Sequence, residues 1–288
     1  MSSFLRTLFS RTAATSQTKQ DPVKVQIKGL IRFSYPSIGG FAGSVEDLDA
    51  RRAVLYDPDR LALRFRYFEN ITFHTLALQS DPDFVCGILI GPCFPDAARA
   101  RLELLIADLP QLKIVTLPPM VHSKAARAAF DALPDQPGTT HRATIRLDDD
   151  DGLHAETIAR IRHMSETLIV ARDTTRPFII GFNRGFYMDP ASERPISEWY
   201  EFRPLGIGLT MVAPKEQSIC IYSRNHRKVG AYFDCYTDVG RPMWIRSVHK
   251  DNDSAAEPYG RRGKLTDRQI KKALWTGFGL TAGVVDVL

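Results

Sequence analysis

Between positions 141 and 147 the chain alternates, with Ala143, Ile145 and Leu147 on one side and Arg142, Thr144 and Arg146 on the other. A period of two is the pattern of a β-strand. Residues 84–90 read differently, as the continuous apolar run expected of a parallel strand covered on both faces. Residues 23–33, with Val25, Ile27 and Leu30, and residues 112–117 complete the strand-like segments of the first half. Between them the spacing is helical. Leu61, Phe65, Phe68 and Leu76 mark a helix over 60–80, and Pro95 and Asp96 open another that runs to Ile106, where proline suits the first turn. A short helix is predicted over 122–132. After a tight turn at Gly152, Leu153, Ile158, Ile161 and Leu168 carry a further one. Strands alternating with helices predict an α/β fold, with a mostly parallel sheet flanked by helices.

Beyond residue 168 the pattern becomes mixed. Residues 177–182 read as a strand, followed by the aromatic stretches Phe186-Tyr187 and Trp199-Tyr200-Glu201-Phe202. Residues 205–212 and 219–222 are expected to pair antiparallel around Pro214-Lys215, 225–233 to form a short helix, and 243–248 a strand ending at His249. The connection over 34–59 is longer than loops usually are unless they serve a ligand. There is no internal repeat and no clear linker. Residues 22–288 are therefore expected to form one domain; in a two-part enzyme the half near 22–168 would hold a nucleotide and the half near 169–288 would receive the other substrate.

Composition narrows the classes. A chain of 288 residues can bury a sizeable core. Its net charge of +5 suits anionic ligands, but the basic residues are scattered apart from Arg261-Arg262-Gly263-Lys264 and Lys271-Lys272. That argues against a nucleic-acid platform, which concentrates cations beside exposed aromatics. No stretch reaches the roughly 18 apolar residues of a membrane span. The first 21 residues carry Phe4, Leu5, Leu8 and Phe9 with Arg6 and Arg11, and read as a flexible tail, a transit peptide or an interfacial contact with a membrane. Cys86, Cys93, Cys220 and Cys235 show neither CxxC spacing nor a dense framework, which fits reduced thiols in the cytoplasm, and any peripheral contact at the inner membrane face would be made through the N-terminal segment.

The candidate chemistry lies in Arg146-Leu147-Asp148-Asp149-Asp150-Asp151. This puts four consecutive carboxylates at the carboxyl end of a strand, where open α/β sheets place their ligands. Adjacent carboxylates repel one another, and a hard divalent cation relieves that repulsion while leaving positions for phosphate oxygens. The alternative is a solvated acidic turn in which Asp151 caps the following helix.

The ordered series Arg32-Phe33-Ser34, Arg60-Leu61, Arg64-Phe65, Phe68-Glu69, Gln79 with Asp81, Asp83-Phe84 and the acidic run resembles the bacterial rhamnosyltransferase family. The resemblance is close over about 26–165 and looser beyond, through Trp244-Ile245 and His249; Phe73-His74-Thr75-Leu76 departs from the family's Leu-Pro-Ser-Leu. It implies a GT-A type glycosyltransferase with an Asp-x-Asp motif and a nucleotide-sugar donor. On this sequence Asp148 and Asp150 are the motif pair, with Asp150 the direct metal ligand and Asp151 an alternative ligand or the helix cap. His249 is the candidate late ligand and His226 a weaker one. The implied cofactor is Mn²⁺ or Mg²⁺. Arg32 and Ser34, at the end of the first strand, either meet the nucleotide or form an ordinary strand end; Arg146 either assists there with Asp148, faces solvent or pairs with the carboxylates. Glu198, Glu201 and Asp189 are candidates for a base that nothing in the sequence ranks, and Tyr187, Trp199, Tyr200 and Phe202 are aromatics that either stack on sugars or build core.

The chemistry expected is transfer of a sugar, rhamnose being the family's, from the nucleotide to a glycan or other hydroxyl acceptor. A metal-dependent phosphohydrolase or nucleotidyltransferase would also use acids at strand ends. A glycosyltransferase-like domain that binds carbohydrate or a partner without turnover is the third reading.

Overall fold

The computed structural model describes residues 22–38, 47–172, 175–252 and 257–288, so the reading of the first 21 residues lies outside it. Four parallel strands lead the fold: β1 (Val25–Arg32), β2 (Val85–Ile90), β3 (Leu112–Thr116) and β4 (His141–Asp148). Helices connect them. The long connection after β1 contains α1 (Leu48–Leu55), which leads into α2 (Pro58–Tyr67), a six-residue π-helical segment (Phe68–Phe73) and α3 (His74–Ala77). After β2 come α4 (Asp96–Ile106) and, after β3, α5 (His122–Ala132). The sheet is covered on both faces, and β1 shows how. Val25, Ile27 and Ile31 face the cluster with Leu102, Ile158 and Ile161, while Leu30 faces the cluster with the α5 residues Ala125, Ala129 and Phe130. Lys28 shares the α5 side and is almost wholly buried. Its ammonium donates to the carbonyls of Phe130 and Leu133 at the end of α5 and pairs with Asp135 at 2.6 Å, so the charge sits where a helix carboxyl end favours it.

The chain then runs through β5 (Gly152–Leu153), α6 (Thr157–Ala171), β6 (Phe178–Phe182), β7 (Arg184–Met188), β8 (Ile196–Glu201) and β9 (Leu209–Pro214). It closes with β10 (Asp234–Asp238), β11 (Trp244–Ser247), β12 (Gly260–Arg262) and α7 (Asp267–Phe278). The first sheet has seven strands in the order β10-β6-β9-β4-β1-β2-β3, and the second has five, β12-β8-β7-β11-β5. The architecture is thus the predicted α/β one, with a mostly parallel sheet and a mixed, largely antiparallel C-terminal part.

Two local expectations are corrected. Residues 205–212 and 219–222 do not pair: β9 lies between β4 and β6, antiparallel to both, and Ile221–Ser223 is a 3₁₀ turn. A strand with both edges satisfied has no edge left for a local hairpin. Nor does a helix follow Gly152 directly. Gly152 and Leu153 pair with Ile245 and Trp244 of β11, and α6 begins at Thr157 with Glu156 at its N-cap. Asp151 is therefore not the cap.

Candidate active site

Register brings the first group together. Arg146 and Asp148 are two residues apart on β4 and so share a face, and Arg32 on β1 is the partner of Asp148 across the parallel pair. Arg32 donates to one Asp148 oxygen at 3.1 Å and Arg146 to the other at 3.3 Å. Burial alone would raise the Asp148 carboxyl pKa, but Arg146 and Arg32 reverse this and hold it far below the usual carboxylate range.

Each arginine is braced from behind by an imidazole. Arg146 Nη1 lies 3.0 Å from His226 Nδ1, and Arg32 Nη1 lies 3.4 Å from His122 Nδ1 on the first residue of α5. Guanidinium can only donate, so these Nδ1 atoms accept and the rings are neutral. Burial first, and the arginines next, push both imidazoles down to about 3. Arg146 also lies over the Tyr222 ring at 5.5 Å. A Cβ on Gly206 would come within 2.9 Å of its Nε, so a larger residue there would push Arg146 from this position. Two fixed cations thus share one carboxylate between neutral histidines, leaving an excess of positive charge at the carboxyl ends of β1 and β4. Ser34 stands just past β1 with a left-handed φ of 48°, an uncommon conformation for a residue with a side chain, and accepts from Arg60 at 3.2 Å.

The rest of the acidic run meets a second, adjoining set of partners. Asp149, Asp150 and Asp151 are buried, which excludes a solvated turn. Arg64 on α2 grips both oxygens of Asp149, one at 3.0 Å, and reaches Asp150 Oδ2 at 3.0 Å. His249 Nε2 lies 2.9 Å from the same Asp150 oxygen, and Asn252 donates to it at 3.1 Å. Burial pushes the Asp150 carboxyl upward, but Arg64 and His249 bring it below its usual value. Asp151 goes the other way: burial and the Asp150 carboxylate hold it well above the usual range. Its Oδ1 accepts the Ser247 amide at 3.2 Å and so ties the acidic turn to β11. Tyr67 stacks against the His249 ring with centroids 4.4 Å apart.

The repulsion that the sequence argument left to a cation is therefore relieved in large part by arginines. Among the described residues no three His, Cys, Asp or Glu side chains already converge as a metal cluster. Of the acids considered as bases, Glu198 is bound by Arg184 at 2.7 Å and the Leu265 amide, and Glu201 by the Tyr187 hydroxyl at 2.8 Å and the Tyr259 amide. Both build the second sheet. Asp189 accepts the nearby Ala191 amide at 3.0 Å. With Asp150 it also acts on Tyr67, whose hydroxyl is pushed up to about 12 by burial, then Asp150, then Asp189. Tyr187 is buried, Trp199 and Tyr200 are half-buried, and Phe202 is exposed beside Tyr259 with centroids 5.8 Å apart.

Sequence reasoning missed Arg64, His122, Asn252 and Tyr67 as parts of the site. Arg64 left a readable signal: it stands in the stripe Leu61, Phe65, Phe68 at core spacing, and a charge in an apolar stripe needs a buried partner. Gln79, Asp81 and Thr75 act as braces. Gln79 accepts the Ile158 amide and donates to the Thr75 and His154 carbonyls, and Asp81 pairs with Arg162 of α6 at 2.7 Å. Thr75, where the family's Leu-Pro-Ser-Leu is absent, receives the Leu153 amide just after the acidic run.

The chain matches the family described as "Putative rhamnosyl transferase" over residues 26–261, a span that takes in nearly all of both sheets and the site residues from Arg32 to Asn252. It belongs to that family. A comparison with curated proteins finds no match. Among solved structures, S. aureus TarS residues 1–349 in complex with UDP-GlcNAc is similar at a TM-score of 0.47 and 12% identity, covering 81% of this chain and 61% of that one. The same protein with UDP gives 0.44 and 12%, covering 77% and 60%. A nucleotide-diphospho-sugar transferase, so described as putative, from Desulfovibrio desulfuricans G20 gives 0.33 and 12%, covering 75% and 80%. The chain spans about three fifths of the TarS segment it resembles. No helix among the described residues is long and apolar enough to cross a membrane.

Proposed function

We propose that this member of the rhamnosyl transferase family is a GT-A type glycosyltransferase that takes a nucleotide-diphosphate sugar and passes the sugar to a hydroxyl of a glycan or similar acceptor. The observation that carries this reading is the pairing of Arg32 and Arg146 on Asp148 at the carboxyl ends of β1 and β4, beside the Asp150–His249 pair. A departing nucleoside diphosphate accumulates charge, and fixed guanidinium groups stabilise that charge without reorganising. The neutral imidazoles of His122 and His226 hold both arginines by accepting from them, so the cations are not neutralised from behind. Ser34 and Arg60 lie at the first strand end, where the nucleotide meets the sheet.

The residues fit a divalent ion, Mn²⁺ or Mg²⁺, at one corner. Asp150 and His249 meet at this corner, Oδ2 to Nε2, and would be the residues that hold the ion. Two protein donors suffice for an ion that completes its shell with phosphate oxygens and water. Ligation at Nε2 would put the ring proton on Nδ1 and cost the contacts from the Asp251 amide at 3.2 Å and from the Asn252 side-chain amide at 3.3 Å. When bound, the ion supplies a Lewis acid for the diphosphate. Asp148 has both oxygens on arginines and Asp151 holds β11, whereas the contacts of Asp150 with Arg64, His249 and Asn252 all fall on its Oδ2, so we assign the ligand role to Asp150 and His249. Where the acceptor hydroxyl needs a base, we assign it to Asp189, because Glu198 and Glu201 are engaged in the second sheet. We place the reaction in the cytoplasm, in keeping with four free thiols.

The test is thermal stability with UDP, dTDP and GDP, each with and without Mn²⁺. A ligand at one hundred times its dissociation constant adds about 2.7 kcal/mol. A metal-dependent shift with one nucleotide, lost in Asp150→Asn, is expected and identifies the donor class. Asp189→Asn should keep that shift and lose sugar transfer. Nucleotide release without an acceptor would favour a hydrolase, and no shift with any nucleotide would refute the donor site.

A further inference from the structure

The helix α7 has two unlike faces. Ile270, Leu274 and Phe278 turn inward and pack in the cluster with Tyr67, Phe186 and Ile245. Arg268, Lys271, Lys272 and Trp275 follow at i, i+3, i+4 and i+7 and so form one stripe along the helix. All four are exposed, and Trp275 presents 64% of its surface. The single acid of the helix, Asp267, is taken by Arg194 at 2.7 Å. A solvated helix face commonly mixes acids with bases at this spacing. Here the three cations have no ion-pair partner among the described residues. The imbalance extends to the neighbouring β12 segment, since residues 257–288 hold six Lys and Arg against three acids. The helix that carries the stripe is fixed at both ends. A capping box of Thr266 and Gln269 starts the helix, and Gly279 with φ 64° ends it.

We propose that this face seats the protein on an anionic lipid bilayer. Lysine and arginine extend their ammonium and guanidinium groups to lipid phosphates while their alkyl stems lie along the helix. An indole is at home at the boundary between headgroups and acyl chains. Cations and an aromatic on one face, with the opposite face buried, form a flat complement to a flat anionic surface. The surface does not favour nucleic acid, which calls for aromatics interleaved with the cations along a groove. Nor does it favour a protein partner, whose interface core would need the apolar face that α7 has already spent on the fold.

The experiment is co-sedimentation of the full chain with vesicles of phosphatidylcholine alone or with added phosphatidylglycerol, at low and high salt. Binding is expected only to the phosphatidylglycerol vesicles and should weaken with salt. Each basic residue near such a surface contributes about fivefold in affinity. The triple variant Arg268→Glu/Lys271→Glu/Lys272→Glu should therefore bind at least roughly 100-fold more weakly. Trp275→Ala should bind several-fold more weakly and remove most of the quenching of tryptophan fluorescence by brominated lipid, because of the other two tryptophans Trp244 is buried and Trp199 half-buried in the second sheet. None of these residues belongs to the candidate site, so melting temperature and nucleotide response should stay at the parent values. The proposal is overturned if the parent binds neither vesicle, if the triple variant binds as well as the parent, or if duplex DNA binds more tightly than the anionic vesicles.

Discussion

Arg64 offers the most direct test of how the acidic run is held. Its guanidinium contacts both oxygens of Asp149 and one of Asp150, and the three side chains are only 7%, 3% and 7% exposed. Arg64→Met keeps the length of the side chain and removes the charge. Two carboxylates then stay buried with their main cation gone, although Asp150 retains His249 and Asn252. Breaking a buried ion pair from one side costs about 3–5 kcal/mol, because the remaining charge is left uncompensated. The retained partners put the expectation toward the lower end of that range. For a chain of this size a loss of 1 kcal/mol lowers the melting temperature by roughly 2–4 °C, so a fall on the order of 10 °C is expected. Urea unfolding measures the free energy and calorimetry the temperature. Adding Asp149→Asn to Arg64→Met removes one of the stranded charges. The double variant should thus be more stable than the sum of the two single effects. A loss below about 1 kcal/mol, or strict additivity in the cycle, would show that Arg64 does not neutralise the acidic run.

Three further outcomes follow from the same geometry. His122 and His226 are held near 3 against an ordinary 6.5, so the unfolded chain binds more protons between those values. Stability should be complete above about pH 6.5 and fall as the pH drops toward 3, and His226→Gln, which still accepts from Arg146, should flatten that fall in a melting-temperature profile. His226→Ala should weaken nucleotide binding by leaving Arg146 unbraced, with His226→Gln restoring most of it; equal loss in both would argue against the acceptor role. Gly185→Ala would drive a Cβ into the Trp244 ring and carbonyl, where backbone cannot yield, and should cost at least 1–3 kcal/mol in urea unfolding.

Much of the fold was legible because its determinants are local. The alternation at 141–147 places β4, and the uninterrupted run at 84–90 reflects a strand covered on both faces. Asp148 could be placed at a strand end for the same reason. Leu61, Phe65, Phe68 and Leu76 are all buried as their spacing predicts, although a π-helical segment interrupts the α-helix between them. The family, too, was readable in motifs held in a fixed order.

What the acids do was not legible, because their partners are distant in sequence. Asp148 meets Arg32 only through the β1–β4 register, Asp149 meets Arg64 across 85 positions, and Asp150 meets His249 across 99. A carboxylate's charge is local, but its neutralisation is not. The same holds for the two misread elements. β9 satisfied both edges with β4 and β6, where a hairpin would have satisfied one, and Gly152-Leu153 was claimed by β11 before a helix could begin. Residue pattern alone determined which segments are strands and helices and that four acids follow a strand. Only the tertiary structure decided which cations face them, since hydrogen-bonding and charge compensation are settled by whatever the completed fold brings within reach.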